Sequence, residues 1–229
     1  MLLLACCPNP ASAQVFCGEH KFDGTHKNEI EGYLQYGKNE VQGYFFGPMV
    51  SYKRHLTDRW FVGGALELPI GKGKYSIYAQ GGYRLPASYF NFYFMGKFMY
   101  ARYTTYGTNE TNFNVSVLWE APYFEILLGE SVINARMLGS SYTEPLTFTF
   151  GAGVNIRPRW NSWNIGLFFR NYDEFYYENW NINWGVRFNA NLPKRLKLFG
   201  EFNLRPAGSL NQLATKYETS IKLGIKHVW

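Results

Sequence analysis

The chain has 229 residues, a net charge of +6 and a mean hydropathy of −0.28, and 19% of it is Phe, Tyr or Trp. No run of about 18 apolar residues occurs, which excludes a transmembrane helix. It does not exclude a membrane barrel, whose strands alternate apolar and polar residues that cancel in any window. The basic residues are spread singly, with no zinc-ligand spacing and no glycine-rich nucleotide loop, so neither nucleic acid nor a metal or other cofactor is implied.

Met1 to Cys7 is short and apolar, and Ala11-Ser12-Ala13 precedes Gln14 with the A-x-A spacing of a signal-peptidase site. The basic start of a signal peptide is missing, so residues 1–13 read as a signal peptide truncated at its start. Leu3-Leu4-Ala5-Cys6 also fits a lipoprotein box with Cys6 lipidated, and that alternative stays open. Cleavage after Ala13 would remove Cys6 and Cys7 and leave Cys17 with no disulfide partner. Residues 14–27 are polar and patternless, an arm in the periplasm.

From residue 28 to residue 229 one pattern recurs about twelve times: apolar and polar residues alternate, as strands with one apolar face require. Ile30, Leu34 and Tyr36 alternate with Glu31, Tyr33 and Gln35. Phe46, Pro48, Val50 and Tyr52 oppose Gly47, Met49, Ser51 and Lys53, and Pro48, which cannot donate to a ladder, predicts a bulge there. Trp60, Val62, Leu66 and Leu68 oppose Arg59, Gly63 and Glu67. Tyr75, Ile77 and Tyr83 oppose Lys74, Ser76, Gln80 and Arg84. Phe92, Phe94 and Phe98 oppose Asn91, Tyr93, Met95 and Lys97, and Phe113, Val115 and Trp119 oppose Asn112, Asn114, Ser116 and Glu120. Residues 124–134 are ambiguous: Glu125 and Glu130 fall on opposite faces, so one acid points the unfavourable way or sits beyond the apolar band. Leu146 to Arg157, Trp163 to Arg170, Trp180 to Asn189 and Leu196 to Arg205 alternate cleanly. Short connections such as Leu56-Thr57-Asp58, Ala121-Pro122 and Leu192-Pro193-Lys194 take turns with mostly longer ones, among them Arg136 to Pro145, Tyr172 to Glu178 and Pro206 to Lys216.

The last segment places Tyr217, Ile221, Leu223, Ile225 and Trp229 in one file, with His227 as a polar member, and ends on an aromatic residue. This strand resembles the C-terminal strand of Gram-negative outer-membrane β-barrel proteins. The resemblance implies that Tyr217, Ile221, Leu223, Ile225 and Trp229 form an assembly signal read by the barrel-assembly machinery. It implies an all-β fold, an antiparallel up-and-down transmembrane barrel of about 12 strands (10–14), set in outer-membrane lipid with both termini in the periplasm. A secreted sandwich or lipocalin-like barrel would instead put the apolar file inside. Three observations favour the membrane barrel. A closed barrel of about twelve strands is too wide for an apolar filling. Tyr and Trp gather near segment ends, as interfacial girdles do. Mid-strand charges fall on the polar file.

In that register the lumen is lined by Lys53, Arg59, Lys74, Arg84, Lys97, Arg157, Arg170, Arg187, Lys197, Arg205, Lys222 and Lys226. The acids there are Glu31, Glu67, Glu120, Glu201 and Glu218. The net basic lining points to a small diffusion channel that prefers anionic solutes. The alternative is a closed barrel, structural or serving envelope assembly, in which these charges cross-pair and nothing is conducted. An outer-membrane hydrolase is the third reading. It would need a Ser beside His55 or His227, and no motif fixes one.

Overall fold

The computed structural model describes residues 28–39, 43–68, 70, 74–86, 90–104, 107–137, 140–157, 162–171, 182–205 and 218–229. The expected signal peptide and arm, Tyr217, Trp180 and the connections 172–178 and 206–216 lie outside them. The described residues form twelve strands: β1 (Asn28–Asn39), β2 (Gly43–His55), β3 (Trp60–Glu67), β4 (Lys74–Pro86), β5 (Asn91–Tyr103), β6 (Thr108–Glu120), β7 (Phe124–Met137), β8 (Ser140–Asn155), β9 (Trp163–Arg170), β10 (Asn183–Leu192), β11 (Leu196–Arg205) and β12 (Glu218–Val228). No helix among them is long and apolar enough to cross a membrane.

Each strand pairs antiparallel with its sequence neighbour, and β1 pairs with β12 to close the barrel. Closure leaves no sheet edge, which a bilayer would penalise by stranding backbone donors and acceptors. The seam is held by reciprocal bonds, Asn28 N–H to the Trp229 carbonyl at 2.9 Å and Trp229 N–H to the Asn28 carbonyl at 3.0 Å. The Tyr52 hydroxyl donates to Asn28 Oδ1 at 2.8 Å, and its ring packs near Trp229.

The two files of every strand take opposite faces, and the apolar file is the outer one. Leu34, Val50, Leu66, Ile77, Phe113, Leu167 and Leu223 are all at least half exposed, while Glu31, Lys53, Asn114, Arg170 and Lys226 are buried inside. Ile221, Leu223, Ile225 and Trp229 all lie on the outer face of β12. An apolar exterior around a polar interior inverts a soluble barrel and matches a membrane-facing one.

Two local features differ from the sequence reading. Pro48 causes no bulge: the β1–β2 ladder runs unbroken through Leu34↔Pro48. Its carbonyl accepts from Leu68 N–H at 3.0 Å, so its missing donor faces the β3 side, where that ladder ends at Met49↔Glu67. The register shift occurs instead between Ser131 and Ile133 of β7, opposite the β8 stretch that contains Pro145. Residues read as the connection 136–145 are mostly strand, with β7 reaching Met137 and β8 starting at Ser140. At the other end of the barrel, Lys194 and Arg195 both take positive φ, 59° and 62°, in the turn joining β10 to β11. That is the type I′ geometry, whose twist suits a tight hairpin.

Candidate functional site

The inward file makes the interior. Among the described side chains, eight inward bases (Lys53, Arg84, Lys97, Arg170, Arg187, Lys197, Lys222, Lys226) stand against seven inward acids (Glu29, Glu31, Glu67, Glu110, Glu120, Glu125, Glu201). Their distribution is uneven. The wall β9–β10–β11–β12–β1–β2 carries six of those bases and three acids, and the wall β3–β8 carries two bases and four acids.

Four inward phenylalanine rings lie over glycines of a paired strand. Phe45, Phe61, Phe168 and Phe199 each pair in register with a glycine of the next strand, Gly37, Gly82, Gly185 and Gly224. A Cβ built at any of the four glycines would collide with the paired ring. Cations cover several of these rings. Lys53 Nζ sits 4.9 Å from the Phe61 centroid, and the Arg170 guanidinium 4.5 Å and the Arg187 guanidinium 5.9 Å from that of Phe168. Lys222 stands 5.7 Å over Tyr33, which itself packs edge-on to Phe199. The wall is thus layered as glycine, ring and cation, an arrangement in which the ring's negative face stabilises the charge above it.

Ion pairs tie the cations to the acids. Arg187 of β10 pairs with Glu125 of β7, crossing β9 and β8 where Gly166 and Gly153 leave room. Arg170 donates to Glu201 at 2.7 Å and to Asn203 Oδ1 at 3.2 Å, and Lys222 Nζ lies 3.8 Å from the same carboxylate. At the end that holds both termini of the barrel, Lys226 stands 3.3 Å from Glu31 and 3.7 Å from Glu29, whose other oxygen is 3.0 Å from His55 Nε2. Glu120 accepts from the Tyr93 hydroxyl at 3.2 Å and from Asn91 Nδ2 at 3.3 Å, and Arg84 donates to Asn91 Oδ1 at 3.1 Å. Glu67 accepts from the Tyr78 hydroxyl at 2.8 Å. Lys97 is buried on β5, opposite Gln80 and Asn114.

Two expected lining residues stand elsewhere. Arg59 is exposed in the turn before β3 and donates to the outward Tyr83 hydroxyl at 3.0 Å. Arg157 is exposed past the end of β8 and stacks 3.8 Å over the outward Trp163 ring. Both lie at a strand end, where alternation no longer decides the face. Lys74, Arg205 and Glu218 have their backbones in β4, β11 and β12, and their side chains lie outside the described set. Three inward acids were missed: Glu29, Glu110 and Glu125. Glu29 shares the parity of Glu31, so alternation alone would have found it. Glu110 precedes the clear alternation of Asn112 to Glu120, and Glu125 falls in the ambiguous stretch.

Much of the interior is packed side chain. Phe61, Tyr93, Met95, Leu118, Leu127, Ile133 and Phe168 form one buried cluster, and Tyr33, Met49, Ala65, Tyr78, Met99, Ala101 and Phe199 another. Among the described residues no group of three or more His, Cys, Asp or Glu could hold a metal ion. His55 is buried against Phe61. His227 lies on the outer face stacked on Trp229, and among the described residues its Nδ1 has no hydrogen-bond partner.

No protein-family model and no curated protein matches the chain. Solved structures do. The KdgM porin in complex with disordered oligogalacturonate matches with a TM-score of 0.59 at 10% identity, over 88% of this chain and 99% of that one. The NanC porin matches at 0.56 and 9%, over 86% and 98%. An active-site mutant of outer membrane phospholipase A from Escherichia coli matches at 0.51 and 9%, over 93% and 95%. At these identities the likeness is one of fold: this chain has the closed antiparallel barrel of outer-membrane proteins.

Proposed function

We propose that the protein is a narrow outer-membrane channel for small charged solutes, with a preference for anions. The observation that carries this reading is the segregation of inward charge. A basic wall on β9–β2 faces an acidic and apolar wall on β3–β8, so a solute between them meets a transverse field. A barrel needed only as a scaffold could scatter its pairs at random around the wall. The porins among the similar folds support a channel. The phospholipase has the same fold and keeps hydrolysis as the third reading; of the two histidines here, His55 stands against Glu29 and Phe61, and His227 lies on the outer face. The barrel would sit in the outer membrane with both termini in the periplasm, since the two longest connections, residues 171–182 and 206–217, lie at the end opposite the termini.

A closed barrel is the second reading. It is favoured by Met99, Ala101 and Leu118, inward side chains with 0% exposure. Planar-bilayer recording with unequal salt on the two sides separates the two. We expect small, steady conductance and a reversal potential on the chloride side. Silence from a folded, inserted sample would leave the closed barrel.

A further inference from the structure

Hydrogen bonds left unmade gather on one part of the inner wall. Asn112 of β6 is 2% exposed, and among the described residues neither its Oδ1 nor its Nδ2 has a partner. The same holds for the Ser116 hydroxyl on that strand and for the Ser76 hydroxyl and Gln80 Oε1 on β4. All four side chains belong to the inward file, and β5 runs between the two strands that carry them. Register brings them together. Gln80 pairs with Lys97 of β5, Lys97 pairs with Asn114 of β6, and Asn112 and Ser116 are the inward residues on either side of Asn114. Ser76 stands opposite Ala101, the smallest inward side chain of β5. Asn114 itself turns the other way and donates to Ser131 of β7 at 2.8 Å and to Thr149 of β8 at 3.1 Å.

Buried polar groups in a folded chain are bonded to protein, to water or to a ligand. With no partner among the described residues, these four are left with water or a solute. They include both donors and acceptors. Water, or the water shell of a small ion, meets both needs, and an apolar occupant meets neither. The wall here can also give. Met95 and Met99 are the inward neighbours of Lys97 on β5, and their unbranched side chains are flexible, so a passage beside them can widen without moving the backbone.

Charge adds a sign to this strip. Among the charged residues of β4, β5 and β6, Lys97 alone stands mid-strand; Lys74, Arg84, Arg102, Glu110 and Glu120 all lie within two residues of a strand end. Resting on the channel reading above, we propose that the solute path runs along β5 between β4 and β6, with Lys97 as the residue that selects for anions at its midpoint. The polar atoms of Gln80, Asn112 and Ser116 take over part of the ion's water shell there, and the lysine lowers the free energy of an anion relative to a cation.

Cysteine accessibility tests it on the full-length barrel refolded in vesicles, with Cys6, Cys7 and Cys17 replaced by Ser. The probes are small methanethiosulfonates, one anionic and one cationic. Asn112→Cys and Ser116→Cys report on the path. Ser131→Cys is the control, since the Ser131 hydroxyl is buried and bonded to Asn114 and Thr149. We expect 112 and 116 to react several-fold faster than 131, the anionic probe ahead of the cationic one, with loss of current on reaction. Lys97→Gln should remove the anionic probe's lead and move the reversal potential toward cations, and Lys97→Arg should keep both. If 112 and 116 react no faster than 131 in a barrel that conducts, the path lies elsewhere, and this proposal falls while the channel reading stands. A reversal potential unmoved in a conducting Lys97→Gln barrel would remove Lys97 as the selector. Silence from a folded, inserted barrel would sink the channel reading and the path together.

Discussion

Arg187 reaches Glu125 across two intervening strands because the residues it passes over, Gly166 and Gly153, have no side chains to stand in its way. Glu125 is fully buried, so the guanidinium compensates a carboxylate that water does not reach. Removing one member of such a pair strands the other, at a cost of about 3–5 kcal/mol, whereas replacing both by apolar groups can be close to neutral. We therefore expect Arg187→Ala to lower the unfolding midpoint of the vesicle-refolded barrel sharply in urea. The double change Arg187→Met with Glu125→Leu should recover most of the loss. Arg187→Lys should not, because an ammonium has neither the reach nor the planar fork of the guanidinium. If Arg187→Ala unfolds at the same urea concentration as the parent, the pair does not hold the wall.

At the scale of the strand, alternation made nearly the whole fold legible. Each residue's face follows from its parity, and parity holds from Ile30 to Ile225 with few breaks. What alternation cannot give is reach. Nothing in the sequence places Arg187 against Glu125, because that meeting depends on the stagger of four strands and on Gly166 and Gly153, which sit on the two strands between them. Parity also fails at ends, which is why Arg59 and Arg157 left the lumen, and it gives no direction to a proline's missing donor, which is why Pro48 suggested a bulge. The paired phenylalanines and glycines show a further property of the strand. The ring of Phe61 occupies the space over Gly82 that a side chain would fill. Gly82→Ala should cost about 1–3 kcal/mol by overpacking. In a double-mutant cycle, adding Phe61→Ala should relieve much of that cost, since the two positions touch. Additive losses in urea titrations of the three variants would mean that the ring does not depend on the glycine.

Taken as a whole, the described interior is close to charge balance yet polarised across its width. This differs from the net basic lining that the sequence suggests, because Glu29, Glu110 and Glu125 join the inward file and Arg59 and Arg157 leave it. In the channel proposed above, a solute on the β9–β2 side would pass Lys197 and Lys222, and one on the opposite side would pass Glu110 and Glu120. Selectivity should then respond with opposite sign to changes on the two walls. Lys197→Glu should move the reversal potential toward cations, and Glu110→Gln, which keeps the shape of the side chain, should move it toward anions. Both shifts should shrink as salt rises, since the screening length falls from about 10 Å at 0.1 M to about 3 Å at 1 M. A general change in fold or bore would alter conductance without splitting the sign. Shifts in the same direction from both variants, in a channel that still conducts, would show that the permeating ion does not pass between these walls.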